Sequence, residues 1–306
     1  MHGPYFRHPP DDADIGPTAL TGCGLMESLP DTGVQRMIVS VVTPTLNGID
    51  YLADCIESVK RNQTRDVKVE HIIVDGGSTD GTVELAEANG LLVLKGKDKG
   101  IFDAINKGSF ASSGQLLGFL GADDVMLDGA MEAIVETYKA SGRPWVVGGI
   151  RWIGEQGQSL GGLGAPPTWM TPCMLVCLGW NPTMHMGTYF SRDFFTELGG
   201  FDIGYKDAGD YEMFARARSK APYARLARTV ACFRRTGMNN SAVNGERTQR
   251  ECRQIRAAFG PASDVERRFW RYALKAWFNA GNPRWLTYKM MESVRVRLRH
   301  QEKAYF

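Results

Sequence analysis

Two adjacent aspartates follow an apolar stretch near the middle of the chain. The stretch LLGFLGADDVML, residues 116–127, places Asp123 and Asp124 directly after its apolar part. Neighbouring carboxylates repel each other, and burying either of them is costly unless a positive charge compensates for it. The pair therefore indicates either a surface turn, where aspartate is common, or a site for a divalent cation at the end of a strand. On this stretch alone, the turn is the simpler interpretation.

A second acidic group stands in a glycine-rich string. The string DGGSTDGT, residues 75–82, follows an apolar β-branched run and precedes a helical pattern. Its first carboxylate, Asp75, stands at a predicted strand end and can accept a hydrogen bond from the imide N–H of uracil or an N–H of guanine. The glycines that follow it, Gly76 and Gly77, let a ligand approach the backbone closely. The alternative interpretation is an acidic turn that caps the next helix.

The pattern from Met37 onwards predicts the elements that position these groups. Runs that suit buried strands lie at 37–44, 69–75, 91–94, 115–124 and 144–150. Helical spacing of apolar residues lies between them, at 49–61, 82–89, 101–111 and 128–140. This alternation predicts an α/β domain with a mainly parallel sheet. Ligands of such sheets bind beyond the carboxyl ends of the strands, so the polar residues at those ends are expected to converge at one rim.

Five strings occur in order over residues 37–240: VSVVTPTLN, VDGGSTDGT, GIFDAINKG, FLGADD and GGFD…AGDYEMFAR. In order and spacing they resemble the successive motifs of the family-2 glycosyltransferases. These enzymes have the GT-A (nucleotide-diphospho-sugar transferase) fold and include bacterial enzymes of cell-surface polysaccharide synthesis. The resemblance implies a mainly parallel central sheet flanked by helices, here with a helical C-terminal extension, and a hexosyltransferase-type activity.

The resemblance also implies a donor site for a nucleoside-diphosphate sugar carrying UDP, GDP or dTDP. Asp75 would recognise the base. The residues assigned to donor binding are Thr43, Pro44, Thr45, Asp75, Gly76, Asp103, Asn106 and Asp123. For Asp103 an alternative stays open, because Lys107 stands four residues later on the predicted helix and would form a solvated ion pair with it.

The aspartate pair corresponds to the metal-binding residues of the resembled family. Asp124 is predicted to be the direct ligand, with Asp123 beside it. The implied cofactor is Mn²⁺ or Mg²⁺, since both prefer hard oxygen ligands and leave positions for the diphosphate. The cation would act as a Lewis acid on the leaving nucleoside diphosphate. Arg234 and Arg235 follow a predicted strand and are interpreted as surface charges, with a contact to the diphosphate as the alternative.

The family motif makes Asp210 the catalytic base, which accepts the proton of the acceptor hydroxyl. One base without a protein nucleophile implies inversion at the anomeric carbon. The alternative role for Asp210 is to cap the following helix. Residues assigned to the acceptor are His185, Asp207 and Trp180. His185 stands between two methionines and could instead be a packing residue, and a core role is also open for Trp180.

The predicted function is metal-dependent, inverting transfer of a sugar from a nucleoside-diphosphate sugar to a carbohydrate or lipid-linked acceptor. The first rival is a nucleotidyltransferase on a related sheet, which would be expected to carry a Gly-rich, Lys- or Arg-containing loop after the first strand. The chain has TPTLNGID there. The second rival is a catalytically inactive module that binds nucleotide sugars. No G-x-G-x-x-G follows the first strand, which disfavours a dinucleotide-binding dehydrogenase.

The predicted organisation has three parts. Residues 1–36 are expected to be a flexible N-terminal extension. Residues 37–263 form the catalytic domain, divided into a nucleotide-binding half, 37–127, and an acceptor half, 128–263. Residues 264–306 form a basic, aromatic, helical extension, which could pack on the domain or contact a membrane surface.

Composition limits the class and the compartment. The chain has 306 residues, 43% of them hydrophobic and 23% charged, with a net charge of +2. This small excess argues against nucleic-acid binding. The 6 cysteines are scattered without a Cys-x-x-Cys spacing. No secretory pattern and no long apolar run is present, so the predicted location is cytoplasmic. Peripheral contact at the inner face of the membrane stays open as an addition to it.

Overall fold

The computed structural model describes residues 36–178, 181–236 and 245–281, together with residues 287, 290 and 291. The predicted N-terminal extension lies outside the described residues except for Arg36, and Trp180 lies outside them as well. The predicted domain boundaries stay predictions.

Nine strands form one mixed sheet in the described part of the chain. They are β1 (Met37–Thr45), β2 (Val67–Asp75), β3 (Leu92–Lys95), β4 (Leu116–Phe119), β5 (Val125–Met126), β6 (Trp145–Ile153), β7 (Ser159–Leu163), β8 (Thr188–Ser191) and β9 (Ala224–Arg234). Their order is β3-β2-β1-β4-β8-β6-β9-β5, and β7 pairs with β6. The run β3-β2-β1-β4 and the β6–β9 pair are parallel, and the remaining pairs are antiparallel.

Helices flank this sheet. They are α1 (Ile49–Lys60), α2 (Thr82–Ala88), α3 (Ile101–Ala111), α4 (Ala130–Ser141), α5 (Pro172–Cys177), α6 (Arg192–Glu197), α7 (Gly209–Lys220), α8 (Gly245–Phe259) and α9 (Asp264–Gly281), with a 3₁₀ turn at His185–Gly187. The predicted α/β class and the flanking helices are confirmed.

The central strand β1 is buried because the sheet is covered on both faces. Val41 belongs to a cluster with Leu52 of α1, whereas its neighbour Val42 belongs to a second cluster with Ile105 of α3 and Phe214 of α7. Successive side chains of a strand point to opposite faces, so each face needs its own apolar partners. This explains why β1 reads as a continuous apolar run rather than an alternating one.

The strand β1 continues through Pro44, although the sequence predicted that the proline would end it. Pairing with β2 runs as far as Thr45 and Asp75. Pairing with β4 ends earlier, at Val42. The proline therefore stands where one side of β1 has no further strand pairing, which is where a residue without an N–H is tolerated.

The helices α8 and α9 pack on the domain through α5. Ile255 of α8 belongs to a cluster with Val176, and Leu274 of α9 belongs to a cluster with Leu175. One face of the predicted C-terminal extension is thus in contact with the domain as far as the structure describes it. Among the described helices, none combines the length and the apolar character needed to cross a bilayer.

A buried histidine makes the stability of this fold depend on pH. His71 of β2 lies 2.9 Å from the hydroxyl of Thr43 through Nε2, and burial lowers the pKa of His71 from 6.5 to about 4. The unfolded chain binds a proton between these values that the folded chain excludes, so this residue makes the free energy of unfolding fall as the pH drops through that window. A shift of this size corresponds to roughly 3 kcal/mol.

We expect His71→Gln to flatten that dependence, because glutamine can keep the hydrogen bond to Thr43 but does not titrate. Urea unfolding of both proteins above pH 6.5 and near pH 4 measures the difference. Equal pH slopes for the two proteins would contradict the assignment.

Candidate functional site

Two buried oxygen atoms without partners mark the carboxyl ends of β1 and β2. Asp75 Oδ2 accepts the N–H groups of Gly77 (2.8 Å) and Ser78 (2.9 Å). Asp75 Oδ1 and the hydroxyl of Thr45 are buried and have no hydrogen-bond partner among the described residues. Asp75 and Thr45 are register partners in the sheet. Since buried polar groups are rarely left unsatisfied, the two atoms indicate the position of a ligand N–H or O–H.

A side chain at Gly76 would crowd the carboxylate of Asp98. A Cβ there would lie 3.1 Å from a carboxylate oxygen of Asp98, and the Gly76 N–H donates to the carbonyl of Thr45 at 2.9 Å. The preceding Pro44 is partly exposed at the end of β1. Asp75, Thr45, Pro44 and Gly76 are thus grouped at one strand edge.

Thr43 is placed elsewhere, which corrects its assignment to the donor pocket. Its side chain is fully buried, and its hydroxyl lies 2.9 Å from His71 Nε2 and 3.9 Å from the thiol of Cys55. Side chains two residues apart along a strand point to the same face, so Thr43 and Thr45 share a face of the sheet. Thr43 lies deeper, at 0% exposed against 8% for Thr45.

The aspartate pair adjoins this position. A Cβ at Gly48 would lie 2.6 Å from the hydroxyl of Thr45 and 3.2 Å from the Cβ of Ala122, the residue before Asp123. A Cβ at Gly121 would lie 2.9 Å from Asp123 Oδ1 and 2.8 Å from an oxygen of Asp124. The glycine before the pair therefore lets both carboxylates fold back against the backbone.

The two aspartates differ in what their carboxylates contact. Asp124 is buried, and its oxygens accept the N–H groups of Gly121 (3.2 Å) and Arg234 (3.1 Å). Burial raises the pKa of Asp124 to about 7, the charge of Asp123 adds to the rise, and His185 opposes it. Asp123 is partly exposed and lines the large cavity described below. This geometry favours Asp123 over Asp124 as the residue that faces a ligand, contrary to the preference drawn from the sequence.

Arg234 is not a surface charge, which corrects the sequence interpretation. It is 5% exposed, and its guanidinium donates to the carbonyl of Asp123 (3.0 Å), the carbonyl of Glu155 (2.8 Å) and the carboxylate of Asp54 (3.1 Å). It also lies over the ring of Tyr51, 4.8 Å from the centroid. Arg234 therefore holds the backbone of the aspartate loop in place.

His185 lies between two of the predicted acidic site residues. Its Nε2 is 3.9 Å from Asp124 Oδ2, and its Nδ1 is 3.8 Å from Asp210 Oδ2. Burial lowers the pKa of His185, but Asp210, Asp124 and Asp123 outweigh this effect and raise the pKa above its ordinary value. The imidazole thus connects the strand-end aspartates to α7.

Asp210 stands in the first turn of α7 and does not occupy the cap position. The N-cap residue is Ala208, which makes no side-chain cap. One oxygen of Asp210 accepts the N–H of Tyr211 at 2.7 Å, and the other faces His185. A Cβ on the preceding Gly209 would come within 2.6 Å of the Phe102 ring, so the close packing of α7 on α3 requires a glycine there.

Asp207 is engaged within the protein. Its carboxylate is 0% exposed and accepts two hydrogen bonds from Arg247 of α8, at 2.6 and 2.8 Å. Glu251 of the same helix accepts the backbone N–H groups of Asp207 and Ala208, both at 2.9 Å. Asp207 therefore fixes the loop before α7. Its carboxylate is less suited to contact an acceptor directly, because Arg247 already binds it.

Two further residues assigned to the donor, Asp103 and Asn106, form hydrogen bonds or ion pairs within the protein. Asp103 accepts the N–H of Lys99 (2.8 Å) and pairs with Lys107 (2.9 Å), the ion pair left open as the alternative. Asn106 donates to the carbonyl of Phe201 and accepts its N–H, each at 2.8 Å. Their polar groups hold α3 and the chain before α7 in place, and the donor assignment of both residues stays a prediction.

One large cavity brings the remaining site residues together. Its volume is about 1050 Å³. The predicted site residues that line it are Asp123, Asp124, His185, Asp207 and Asp210. Basic residues of the helices α8 and α9 line it as well, namely Arg253, Arg256, Arg267, Arg268 and Arg271. These arginines and the α8 residues Arg247 and Glu251 were not predicted from the sequence to be site residues.

The family model described as glycosyl transferase family 2 matches residues 40–193 of the chain. The chain belongs to this family. The match covers β1 to β4, the aspartate pair and β8, and it confirms the resemblance seen in the sequence motifs. The protein therefore carries a glycosyltransferase domain.

Curated relatives of this family member include mycobacterial glycosyltransferases. A PGL/p-HBAD biosynthesis glycosyltransferase, Rv2957 of Mycobacterium tuberculosis, is 33% identical over 111 residues, which are 34% of this chain and 43% of that protein. The glycosyltransferase Rv1514c of the same organism is 28% identical over 219 residues, 68% of this chain and 80% of that protein. The chain thus spans less than half the length of the first of these relatives.

Solved structures with a similar fold include TarS of S. aureus. The structure of TarS residues 1–349 in complex with UDP-GlcNAc superposes with a TM-score of 0.58 at 18% identity, covering 77% of this chain and 70% of that one. The complex of the same fragment with UDP gives a TM-score of 0.56 at 16% identity. At this level of identity, the likeness shows the GT-A-like fold of this family member.

Proposed function

We propose that this family-2 glycosyltransferase moves a sugar from a nucleoside-diphosphate sugar to an acceptor hydroxyl, with Asp210 as the general base. The observation that carries the proposal is the placement of Asp210 and Asp123 on one cavity, with His185 between Asp210 and the neighbouring Asp124. A base for the acceptor and a ligand for the donor phosphates have to lie on opposite sides of the anomeric carbon. Both groups line the same cavity.

The donor nucleotide is placed at the edge formed by β1 and β2. The unpartnered Asp75 Oδ1 suits the imide N–H of uracil, and the Thr45 hydroxyl beside it can donate to or accept from the same base. The similarity to TarS, which was solved with UDP-GlcNAc, makes UDP the first nucleotide to test. GDP and dTDP are the competing nucleotides.

A divalent cation, Mn²⁺ or Mg²⁺, fits the chemistry of the aspartate loop. Within the described residues, no three His, Cys, Asp or Glu side chains are grouped to hold a metal ion. Mg²⁺ in nucleotide enzymes is often held by one or two carboxylates together with substrate phosphates, so Asp123 supported by Asp124 is a sufficient protein contribution. When bound, the cation would neutralise charge on the leaving diphosphate.

The residues of the chain supply the remaining steps. Asp210 accepts the proton of the acceptor hydroxyl while that oxygen forms its bond to the anomeric carbon and the bond to the diphosphate breaks. A single displacement by the acceptor hydroxyl needs one base and no protein nucleophile, so we expect inversion at the anomeric carbon. His185 lies between Asp124 and Asp210, 3.9 and 3.8 Å from their carboxylates, and is interpreted as the residue that positions them.

A turnover assay tests this proposal against its rivals. We expect the protein to release UDP from a UDP-sugar, slowly with water as acceptor, and to stop when EDTA removes the metal. A nucleotidyltransferase would instead release pyrophosphate from a nucleoside triphosphate. Binding of the nucleotide sugar without any turnover, with or without lysate-derived acceptor, would support the inactive binding module.

We also propose that α9 contacts a membrane surface through its outer face. Val265, Phe269 and Tyr272 are 78%, 62% and 69% exposed, and their spacing of four and three residues places them on one stripe. The face that carries Leu274 is packed on the domain. Aromatic and basic side chains together favour the interface of a bilayer, and this would suit a lipid-linked acceptor.

Sedimentation with vesicles of phosphatidylglycerol and phosphatidylcholine measures this contact. We expect the triple variant Val265→Ser, Phe269→Ser, Tyr272→Ser to bind about tenfold less than the wild type, since each side chain loses apolar burial in the interface. Leu92→Ser, which changes an exposed apolar residue on β3, serves as the control. Equal binding of all three proteins would contradict the proposal.

A further inference from the structure

The wall of the cavity that belongs to α8 and α9 is strongly basic. Arg253 of α8 and Arg268 and Arg271 of α9 line the cavity. None of the three forms an ion pair or a hydrogen bond with another part of the chain that the structure describes. Arginines that serve only the fold usually have carboxylate or carbonyl partners, as Arg216 and Arg234 have here. Three unpartnered guanidinium groups on one wall indicate an anionic ligand.

The position of α8 places this wall on the side of the catalytic base. Arg247 and Glu251 attach α8 to the loop that runs into α7. Arg256 of α8, which also lines the cavity, lies close enough to the Tyr211 hydroxyl to oppose the rise in the pKa of Tyr211 that burial causes. Tyr211 directly follows Asp210. The basic wall therefore adjoins the base and not the β1–β2 edge, since Asp75 and Thr45 are not part of the cavity lining.

This arrangement separates two kinds of charge within the cavity. Asp123 and Asp124 stand at the strand ends, where a cation and the donor diphosphate are proposed to lie. Asp207 is already neutralised by Arg247. The arginines thus remain available for a group that enters from the acceptor side. The three residues are exposed, so water solvates them when the cavity is empty. A neutral sugar offers them no opposite charge, whereas the planar fork of arginine matches the oxygens of a phosphate.

We propose that the acceptor carries a phosphate group, which Arg253, Arg268 and Arg271 bind while its hydroxyl is presented to Asp210. This inference rests on the proposed function and specifies the class of its acceptor as phosphate-bearing. The phosphate can belong to a lipid or to a soluble phosphate ester, and the two sources share the chemistry that the arginines recognise.

Binding measurements on the full chain by calorimetry test the inference. The protein is first saturated with UDP and Mg²⁺, so that the donor site is filled. It is then titrated with glycerol 1-phosphate or with a short-chain phosphatidic acid. Glycerol and a short-chain diacylglycerol are the uncharged control ligands. The test variant is Arg253→Gln, Arg268→Gln, Arg271→Gln. The matched control is Arg250→Gln, Lys275→Gln, which changes exposed basic residues of the same two helices that do not line the cavity.

We expect the test variant to bind the phosphate probes about tenfold or more weakly than the wild type, because charge-assisted hydrogen bonds are lost. UDP affinity is expected to stay within about twofold in all proteins, and the control is expected to match the wild type. Binding of both probes points to recognition of the phosphate alone, and binding of phosphatidic acid only points to a lipid source; both support the inference.

Equal phosphate binding by the test variant and the control would overturn the inference. A loss of UDP affinity in the test variant would overturn it too, because the arginines would then serve the donor diphosphate. The same titrations without UDP test phosphate binding by the three arginines independently of the proposed donor site. If no protein binds UDP while phosphate binding still depends on the three arginines, the donor proposal fails and the phosphate site stands.

Discussion

Replacing Asp210 by asparagine is expected to lower sugar transfer by roughly 10²–10⁴-fold, the range that a positioned general base contributes. The amide has nearly the same shape as the carboxylate and can still accept the N–H of Tyr211, which Asp210 accepts at 2.7 Å. It cannot take the proton of an acceptor hydroxyl. Donor binding is expected to stay within about twofold, because Asp210 is placed on the acceptor side of the cavity.

Release of UDP from the donor, followed with increasing donor concentration, measures both quantities. Asp193→Asn is the matched control, since Asp193 is exposed in the first turn of α6 and does not line the cavity. Full turnover in Asp210→Asn would remove Asp210 from the role of base. A change confined to KM would instead assign it to binding.

Replacement by asparagine is expected to affect donor binding at Asp123 and fold stability at Asp124. Asp123→Asn is expected to lose the metal-dependent part of donor binding, about tenfold or more, while the free energy of unfolding stays near that of the wild type. Asp123 is partly exposed and lines the cavity, where a cation can reach it. Removal of metal with EDTA is expected to have the same effect on the wild type and none on this variant.

Asp124→Asn is expected to destabilise the fold by roughly 1–3 kcal/mol, the cost of an unsatisfied buried donor. Both oxygens of Asp124 accept backbone N–H groups, from Gly121 and Arg234. Asparagine has only one acceptor oxygen, and its NH₂ group would face the other N–H. Urea unfolding and donor titration of both variants check the pattern. If Asp124→Asn lost metal-dependent binding at full stability, Asp124 would be the direct ligand after all.

The strand–helix alternation of the first half could be predicted because each element has a strong local signal. The β-branched runs of β1 and β2 and the apolar spacing of α1 and α3 place these elements within a few residues of their observed bounds. The later strands could not be predicted equally well. The strand β8 pairs antiparallel with β4 and β6, and this pairing depends on contacts between distant parts of the chain.

The motifs predicted which residues gather at the site but not what each carboxylate contacts. Asp103 and Asn106 fall on a family motif, yet their partners are Lys107 and the backbone of Phe201. Asp123 and Asp124 are neighbours in sequence, and only the fold shows which one is buried. For Arg234, the signal that was available was its position at the end of an apolar strand, where a charged side chain needs a buried partner.

The most direct test of the account is a thermal-shift measurement with UDP, GDP and dTDP, each in the presence of Mn²⁺, Mg²⁺ or EDTA, on the wild type and on Asp123→Asn. We expect UDP with metal to raise the melting temperature of the wild type by roughly 5–10 °C at saturating nucleotide. EDTA or the substitution is expected to remove this shift. No shift with any of the three nucleotides would contradict the donor site at the ends of β1 and β2, and with it the proposed transfer.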